Sequence, residues 1–416
     1  MQVPGGMTDT LLFFQNGDYR EAYERFQSGG EETYLDQRRS VEFVAALARK
    51  LRVVVASASA AAHDTVLAPG LRSIGIPLDR FWTDAVGKDV IAEVRPTRVI
   101  PRTGHAGLLR RIRTAATPCF PTLADIFQPI HFSSLASLSG LKQRVHRQRQ
   151  RALFSVEHAL AVGNHGLNAS RSLHSELGVP LDRIVPWEWT RLAPDAAPRQ
   201  MSSGRLSDFY AGMVTENKGT GDLVEAVRLL REAGHDVEVT ICGVGDGMDG
   251  FKARAAAQGL GDRVHFLGRV PLERVGGYMR ACDIVVVPSR HAYPEGMPNV
   301  IFEALSARTP LVVSDHPSFR GRLEDGESAV VFPASDPRAL AAAIAGLAGD
   351  TALYTRLSER AGEALRGLYV GESWYVLVEQ FLDDPENRTG WVETHSLRAV
   401  MTDRARKGRE AHGCAQ

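Results

Sequence analysis

The chain has 416 residues, of which 44% are hydrophobic and 24% charged. At roughly 100–200 residues per domain, that length suggests two or three domains, and the composition excludes a disordered, collagen-like or coiled-coil chain. Lysine plus arginine and aspartate plus glutamate both number 49, so net charge gives no reason to expect a nucleic-acid partner.

The four cysteines, Cys119, Cys242, Cys282 and Cys414, are scattered and form no C-x-x-C pair. Neither a structural zinc site nor a disulfide framework is expected, and a reducing compartment fits. No run of about 18 apolar residues is present to span a bilayer. The first ten residues lack the basic start and apolar stretch of a secretory signal. A cytoplasmic location is therefore expected.

Short apolar runs alternate with helical patterns along the whole chain, which argues for α/β architecture on parallel sheets. Thr10–Gln15 reads as a first buried strand, and residues 34–50 follow with the apolar spacing of a helix. Arg52–Ala56, Arg98–Pro101, Cys119–Leu123 and Ala159–Val162 are further candidate strands. The proline-rich stretch from Pro186 to Pro198 reads as a linker. A second alternation then begins. Its strands are Asp208–Met213, Val237–Cys242, Val264–Leu267, Asp283–Pro288 and Pro310–Ser314. Its helices are Thr220–Ala233, Met248–Gln258, Leu272–Ala281, Asn299–Ala307 and Pro337–Leu347. This half is a doubly wound unit, and the first half is a looser version of it. Two such domains leave a cleft between them for ligand. The expected division is 1–190, 191–365, a helix within 366–385 that packs back on the first domain, and a polar peripheral tail at 386–416.

The strongest motif is P-E-G-M-P-N-V-I-F-E-A-L, Pro294 to Leu305, with seven residues between Glu295 and Glu303. It follows a strand whose end lies at the carboxyl edge of the sheet, where α/β proteins bind ligands. Pro298 suits the first turn of a helix, because its missing N–H would be unpaired there. Gly296 allows close backbone approach. The helix start then offers free amides and a positive dipole end to a phosphate. Glu303 shares a helix face with Asn299 and leans towards the helix start, within reach of a ribose. A capped helix with two solvated glutamates is the plainer alternative.

On these residues the chain resembles a retaining family 4 glycosyltransferase of the GT-B fold, an enzyme dependent on a nucleotide sugar. The resemblance implies that Glu295 handles the donor sugar. It implies that the amides around Gly296, Met297, Pro298 and Asn299 hold the phosphates, and that Glu303 binds the ribose. A second motif, A-G-M-V-T-E-N-K-G from Ala211 to Gly219, resembles the family's Gly-Arg-Leu followed by Lys-Gly. Lys218 then neutralises the donor diphosphate, while Met213 stands in the arginine position. A third stretch, C-G-V-G-D-G from Cys242 to Gly247, satisfies G-x-G-x-x-G with Gly250, but no acidic residue ends the next strand as dinucleotide binding requires. Gly243 and Gly245 are read as a sheet-edge turn near the donor. Val270, with Gly268 and Arg269, resembles the segment that contacts the nucleobase.

In the first half, Gly29 and Gly30 fall where the family has a glycine loop for acceptor and donor phosphates; an ordinary turn is the alternative. His105 and His131 are both candidates for a catalytic histidine, against a polar surface role. Residues 110–113 and 142–151 are locally basic. Leu138, Leu141, Val145 and Ala152 form a partial apolar stripe beside the latter run. A helix facing anionic membrane and a solvated helix face both account for this. No aromatics interleave the charges, so nucleic acid is not expected.

The reading is a glycosyltransferase that moves a sugar from a nucleotide-diphosphate sugar to a sugar, lipid-linked or other hydroxyl acceptor, with retention, in cell-surface polysaccharide or glycoconjugate synthesis. No D-x-D motif is present and Lys218 can do a metal's work, so no metal and no cofactor are expected. The alternatives are a silent sugar-nucleotide-binding protein, motivated by Met213, and an epimerase or phosphorylase of the same fold.

Overall fold

The computed structural model describes residues 9–127, 138–154 and 159–413. Two compact units emerge: Met1–Gly30 with Asp36–Trp189 and Val370–Gln416, and Glu31–Leu35 with Thr190–Tyr369.

The second unit is built on six parallel strands. In spatial order they are Val264–Gly268, Val237–Cys242, Leu206–Ala211, Ile284–Val287, Leu311–Ser314 and Val330–Phe332. Numbered along the chain this is 3-2-1-4-5-6, the doubly wound order. The central strands Ile284–Val287 and Leu311–Ser314 are buried throughout, as expected where helices cover both faces of a sheet. One face packs Val239 and Ile241 against Leu223, Val227 and Leu340. The other packs Phe209, Val285 and Val287 against Ile301, Leu305 and Ala361.

The first unit has two sheets. The five-stranded one runs His63–Ala68, Leu71–Pro77, Arg52–Ser59, Thr10–Gln15, Arg98–Pro101, and only its edge strand His63–Ala68 is antiparallel. The four-stranded parallel one runs Glu372–Ser373, Ile184–Glu188, Val162–His165, Thr122–Leu123. Cys119 makes single parallel bridges to Val99 and Ala159.

Several expectations shift. The strand read at Ala159–Val162 lies at Val162–His165, because buried Asn164 satisfies its amide on the carbonyls of Asp125 and Ala169, both at 2.9 Å. Apolar pattern alone stops short of such residues. The start of the proline-rich stretch is a buried strand, Ile184–Glu188, and the chain passes between units at 30–31, 35–36, 189–190 and 369–370. The helix Trp374–Asp383 belongs to the first unit. The segment 386–416, read as a peripheral tail, carries two helices, Trp391–His395 and Leu397–Gly413. Trp391, Val392 and Leu397 are buried, with the Trp391 ring edge-on to Phe120 at 5.5 Å. Three apolar anchors, hidden by a polar average, hold it down.

Candidate active site

In a 3-2-1-4-5-6 sheet the strand order reverses between the first and fourth strands, and ligands bind at the carboxyl ends there. Here those strands are Leu206–Ala211 and Ile284–Val287. The loops that leave them carry Lys218 and Glu295. The two loops are clamped together. Gly219 has φ +74°, and a Cβ on it would stand 2.0 Å from the Pro288 carbonyl oxygen, so only glycine fits. The Arg290 amide donates to the Asn217 carbonyl at 2.9 Å. The Arg290 guanidinium donates to both Asp222 oxygens at 2.8 and 2.6 Å, the two-point fork that fixes orientation as well as charge.

Lys218 Nζ pairs with Glu295 Oε1, and its ammonium lies 4.5 Å from the Tyr293 ring centroid. The second carboxylate oxygen of Glu295 accepts from Ser289 Oγ at 2.5 Å. Glu295 is only 7% exposed, so its charge needs such a partner. The backbone behind it is held as well. Ser318 Oγ donates to the Glu295 carbonyl, and His316 Nε2 donates to the Tyr293 carbonyl at 3.0 Å. His316 Nδ1 accepts from the Ser318 amide at 3.2 Å. Burial lowers the His316 pKa, which favours the neutral ring these two bonds require.

The helix Asn299–Ser306 begins after Pro298, which occupies the N-cap with φ −70°, one residue before the first turn. The amides of Gly296, Met297, Asn299 and Val300 have no acceptor among the described residues. Gly296 and Met297 are buried, and buried amides are rarely left unpaired. Such amides at a positive helix end form an anion seat. Asn299 and Glu303 stay partly open on one face, while Val300, Ile301, Phe302, Ala304 and Leu305 are buried. Glu303 has no side-chain partner among the described residues, and burial pushes its carboxyl up to about 7.

The glycine turn forms a bare backbone floor beside this seat. The Gly212 amide donates to the Cys242 carbonyl at 3.0 Å, and the Gly243 amide to the Gly268 carbonyl at 2.8 Å. A Cβ on Gly243 would stand 1.7 Å from the Gly212 oxygen, and one on Gly245 2.3 Å from the Val214 oxygen. Val270 follows the third strand and is buried. Met213, at the end of the first strand, is 52% exposed.

Two expectations in the first unit do not hold. His105 is buried and serves as a helix cap. Its Nδ1 accepts from the Leu108 amide at 3.0 Å, and its Nε2 donates to the Phe81 carbonyl at 2.8 Å. Both nitrogens are occupied, and burial lowers its pKa, so it offers no acid or base to a substrate. Gly29 and Gly30 close the helix Tyr19–Gln27 at its C-terminus. Their amides donate to the Phe26 and Arg25 carbonyls at 3.2 and 2.8 Å, which leaves no amide for a phosphate. The loop that directly follows strand Thr10–Gln15 contains Gly17, at φ +92°. His131 lies outside the described residues.

In the basic helix Leu138–Phe154, Arg147 pairs with Glu176 at 3.4 Å and Arg151 donates to the Glu176 carbonyl at 2.8 Å. Among the described residues no group of three or more metal-ligating side chains is present. Ser289, Tyr293, His316 and Ser318 were not singled out from sequence. The first two stand within seven residues of Glu295 in P-S-R-H-A-Y-P-E, and that proximity was the available signal.

A sheet switch point carrying a lysine–glutamate pair and a bare helix start forms an anion-binding site of the α/β class. Residues 205–364 match the family model described as glycosyl transferases group 1. Among curated proteins, a phosphatidyl-myo-inositol mannosyltransferase of Mycobacterium leprae is 33% identical over 190 residues, 45% of this chain and 48% of its own length. The amylovoran biosynthesis glycosyltransferase AmsK of Erwinia amylovora is 35% identical over 251 residues, 53% and 61% of the two chains. The chain thus spans about half the length of the curated relatives it matches. Sucrose-phosphate synthase from Thermosynechococcus elongatus aligns with a TM-score of 0.65 at 17% identity, over 90% of this chain and 98% of that one. Anabaena HepE, solved in complex with UDP-glucose, aligns at 0.59 and 16% identity, over 90% and 98%. The fold is that of GT-B glycosyltransferases.

Proposed function

We propose that the protein is a glycosyltransferase that transfers a sugar from a nucleotide-diphosphate sugar to an acceptor hydroxyl with retention of configuration. The observation that carries this is the amides of Gly296 and Met297, without an acceptor among the described residues, following Glu295, whose carboxylate is paired with Lys218, at the sheet switch point. The names of the relatives, a mannosyltransferase and a polysaccharide-biosynthesis enzyme, and the UDP-glucose in HepE, support it.

The chemical problem is the negative charge that grows on the departing diphosphate. Fixed donors aimed at that charge are worth most where water is excluded. The Gly296 and Met297 amides, the start of helix Asn299–Ser306 and the Lys218 ammonium supply them. Glu303 accepts from the ribose hydroxyls. Glu295, held by Lys218 and Ser289, orients the sugar. The acceptor oxygen forms a bond to the anomeric carbon as the bond from that carbon to phosphate oxygen breaks. The departing phosphate oxygen takes the acceptor proton from the same face, so no protein base is required. The reaction runs without metal or cofactor. The acceptor is a sugar or lipid-linked hydroxyl, and the basic stretch 142–151 brings the protein to anionic membrane on the cytoplasmic side.

A thermal-shift panel of UDP-, GDP- and ADP-sugars, followed by turnover with the stabilising donor and NMR of the product's anomeric configuration, tests the reading. Binding without turnover on any acceptor would leave a silent nucleotide-sugar-binding protein, and turnover that needs no acceptor would indicate an epimerase. Salt-dependent co-sedimentation with anionic vesicles, but not neutral ones, tests the membrane part, because surface charge is screened.

A further inference from the structure

The loop 288–298 joins strand Ile284–Val287 to helix Asn299–Ser306 and carries Glu295 and the Gly296 and Met297 amides. It contains no helix or strand of its own. Such a loop costs entropy to order, so a seat built on it needs support from outside. That support comes from the end of strand Leu311–Ser314 and the residues that follow it. Three alternate side chains there are buried, and each reaches a different backbone carbonyl of the loop. Ser314 Oγ donates to the Ser289 carbonyl at 2.6 Å, His316 Nε2 to the Tyr293 carbonyl at 3.0 Å, and Ser318 Oγ to the Glu295 carbonyl. Asp315 adds a tie to a loop side chain, accepting from His291 Nε2 at 2.7 Å. His316 is the central member. The Tyr293 carbonyl it holds also accepts from the Glu295 amide at 2.8 Å, so its bond secures the turn that places Glu295. The ring is itself pinned, because its Nδ1 accepts from the Ser318 amide at 3.2 Å and Phe319 packs on it at 5.1 Å between centroids. A carbonyl on one nitrogen and an N–H on the other fix the neutral tautomer with its proton on Nε2.

We propose that His316 is a positioning residue of the donor site. Through the Tyr293 carbonyl, and with Ser318 on the Glu295 carbonyl, it fixes in the free protein the backbone that presents the Gly296 and Met297 amides to the diphosphate. It is fully buried and acts through the loop, not on substrate. This rests on the reading of the site as a nucleotide-diphosphate seat. Donors held in place before the ligand arrives need not be ordered on binding, and the difference appears as affinity. The ribose is met by Glu303 on the packed helix Asn299–Ser306, outside the loop. A loosened loop therefore weakens the hold on the diphosphate and spares the nucleoside.

The test is calorimetric titration of UDP, GDP and ADP, and of uridine, guanosine and adenosine, into the wild type, His316→Asn, His316→Gln and Ser318→Ala. The asparagine oxygen takes the place of Nδ1 and keeps the bond from the Ser318 amide, but its side chain is too short for the Tyr293 carbonyl. The glutamine nitrogen takes the place of Nε2 and keeps the bond to the loop. The diphosphate that binds the wild type should bind His316→Asn about fivefold more weakly, the usual worth of one neutral hydrogen bond. His316→Gln should stay within about twofold of the wild type, because its amide still donates to the loop. Ser318→Ala, which leaves the ring and deletes one hydroxyl, should weaken the diphosphate as His316→Asn does. The matching nucleoside should bind all four proteins equally. A merely structural histidine would show no rescue by glutamine and no such split between ligands. His316→Asn binding the diphosphate like the wild type, His316→Gln as weak as His316→Asn, or nucleoside affinity falling in parallel would each overturn the assignment. If the His316 variants do not fold, Ser318→Ala decides, and an unchanged diphosphate affinity there overturns it. Failure of the wild type to bind any of the three diphosphates would instead sink the donor-site reading, and this inference with it.

Discussion

Glu303→Gln removes a charge while preserving shape at the point where the site reads the ribose. In the free protein burial holds the Glu303 carboxyl at about 7, so the group is about one-tenth ionised at pH 6 and about nine-tenths at pH 8. Only the carboxylate can accept from both ribose hydroxyls. Binding must then draw on the ionised fraction and release a proton from the rest. Nucleotide affinity should rise about tenfold from pH 6 to pH 8, or about 1.4 kcal/mol, and level off above. Glu303→Gln should flatten that profile and weaken binding at pH 8 by about 1.5–3 kcal/mol, the worth of a charge-assisted bond. The fold moves the other way. A carboxyl whose folded pKa is raised contributes stability that is complete below its usual value and lost as pH rises through 7. At pH 8 the glutamine variant should therefore be more stable by about 1–3 kcal/mol. Titration calorimetry in two buffers of different ionisation enthalpy, beside urea unfolding, reads all of these. A wild-type affinity that is flat between pH 6 and 8, with no proton released, would refute the reasoning, as would a glutamine variant that binds normally.

Lys218→Ala should lower kcat by about 10²–10³, because it removes a donor to the leaving group, and should reduce stability by about 2–4 kcal/mol through the unpaired, buried Glu295; a normal kcat in steady-state assays would exclude Lys218 from the chemistry. Excess EDTA should leave turnover unchanged, and loss restored by magnesium or manganese would defeat the metal-free reaction. Gly243→Ala should cost about 2–4 kcal/mol in thermal unfolding, since φ is +142° and the new Cβ would meet the Gly212 oxygen. Asp208 is buried, neither of its carboxyl oxygens has a partner among the described residues, and burial and neighbouring Asp283 push its pKa well above the usual range. A carboxyl held above its usual range costs the fold stability as pH rises above about 4, and urea midpoints of Asp208→Asn should lose that slope.

Local chemistry made much of the C-terminal unit legible in the sequence. The strand Val237–Cys242 and the helix Leu272–Ala281 have the bounds their apolar patterns predict. Glycine and proline at 296 and 298 marked a helix start, and the spacing of Glu295 and Glu303 marked its polar face. These features are short-range, because a 3.6-residue period, a missing N–H and a positive dipole end all act within a turn or two. The strand order was not legible in the same way. Only the folded sheet brings Leu206–Ala211 beside Ile284–Val287, and so sets Lys218 against Glu295 across 77 positions of chain. Nor does sequence reveal occupancy. His105 and Gly30 carry the right atoms for a site, but the carbonyls of Phe81 and Arg25 already hold them. The segment after Asp384 reads as polar on average, yet three apolar side chains bind it to the first unit. Burial depends on what comes to lie opposite a residue, and that partner is remote in the chain. The residue types available to the site were thus set by the sequence. Which of them are free to meet a ligand was decided by tertiary packing, because each hydrogen-bonding atom in a dense interior is claimed by whichever partner the fold brings within about 3 Å.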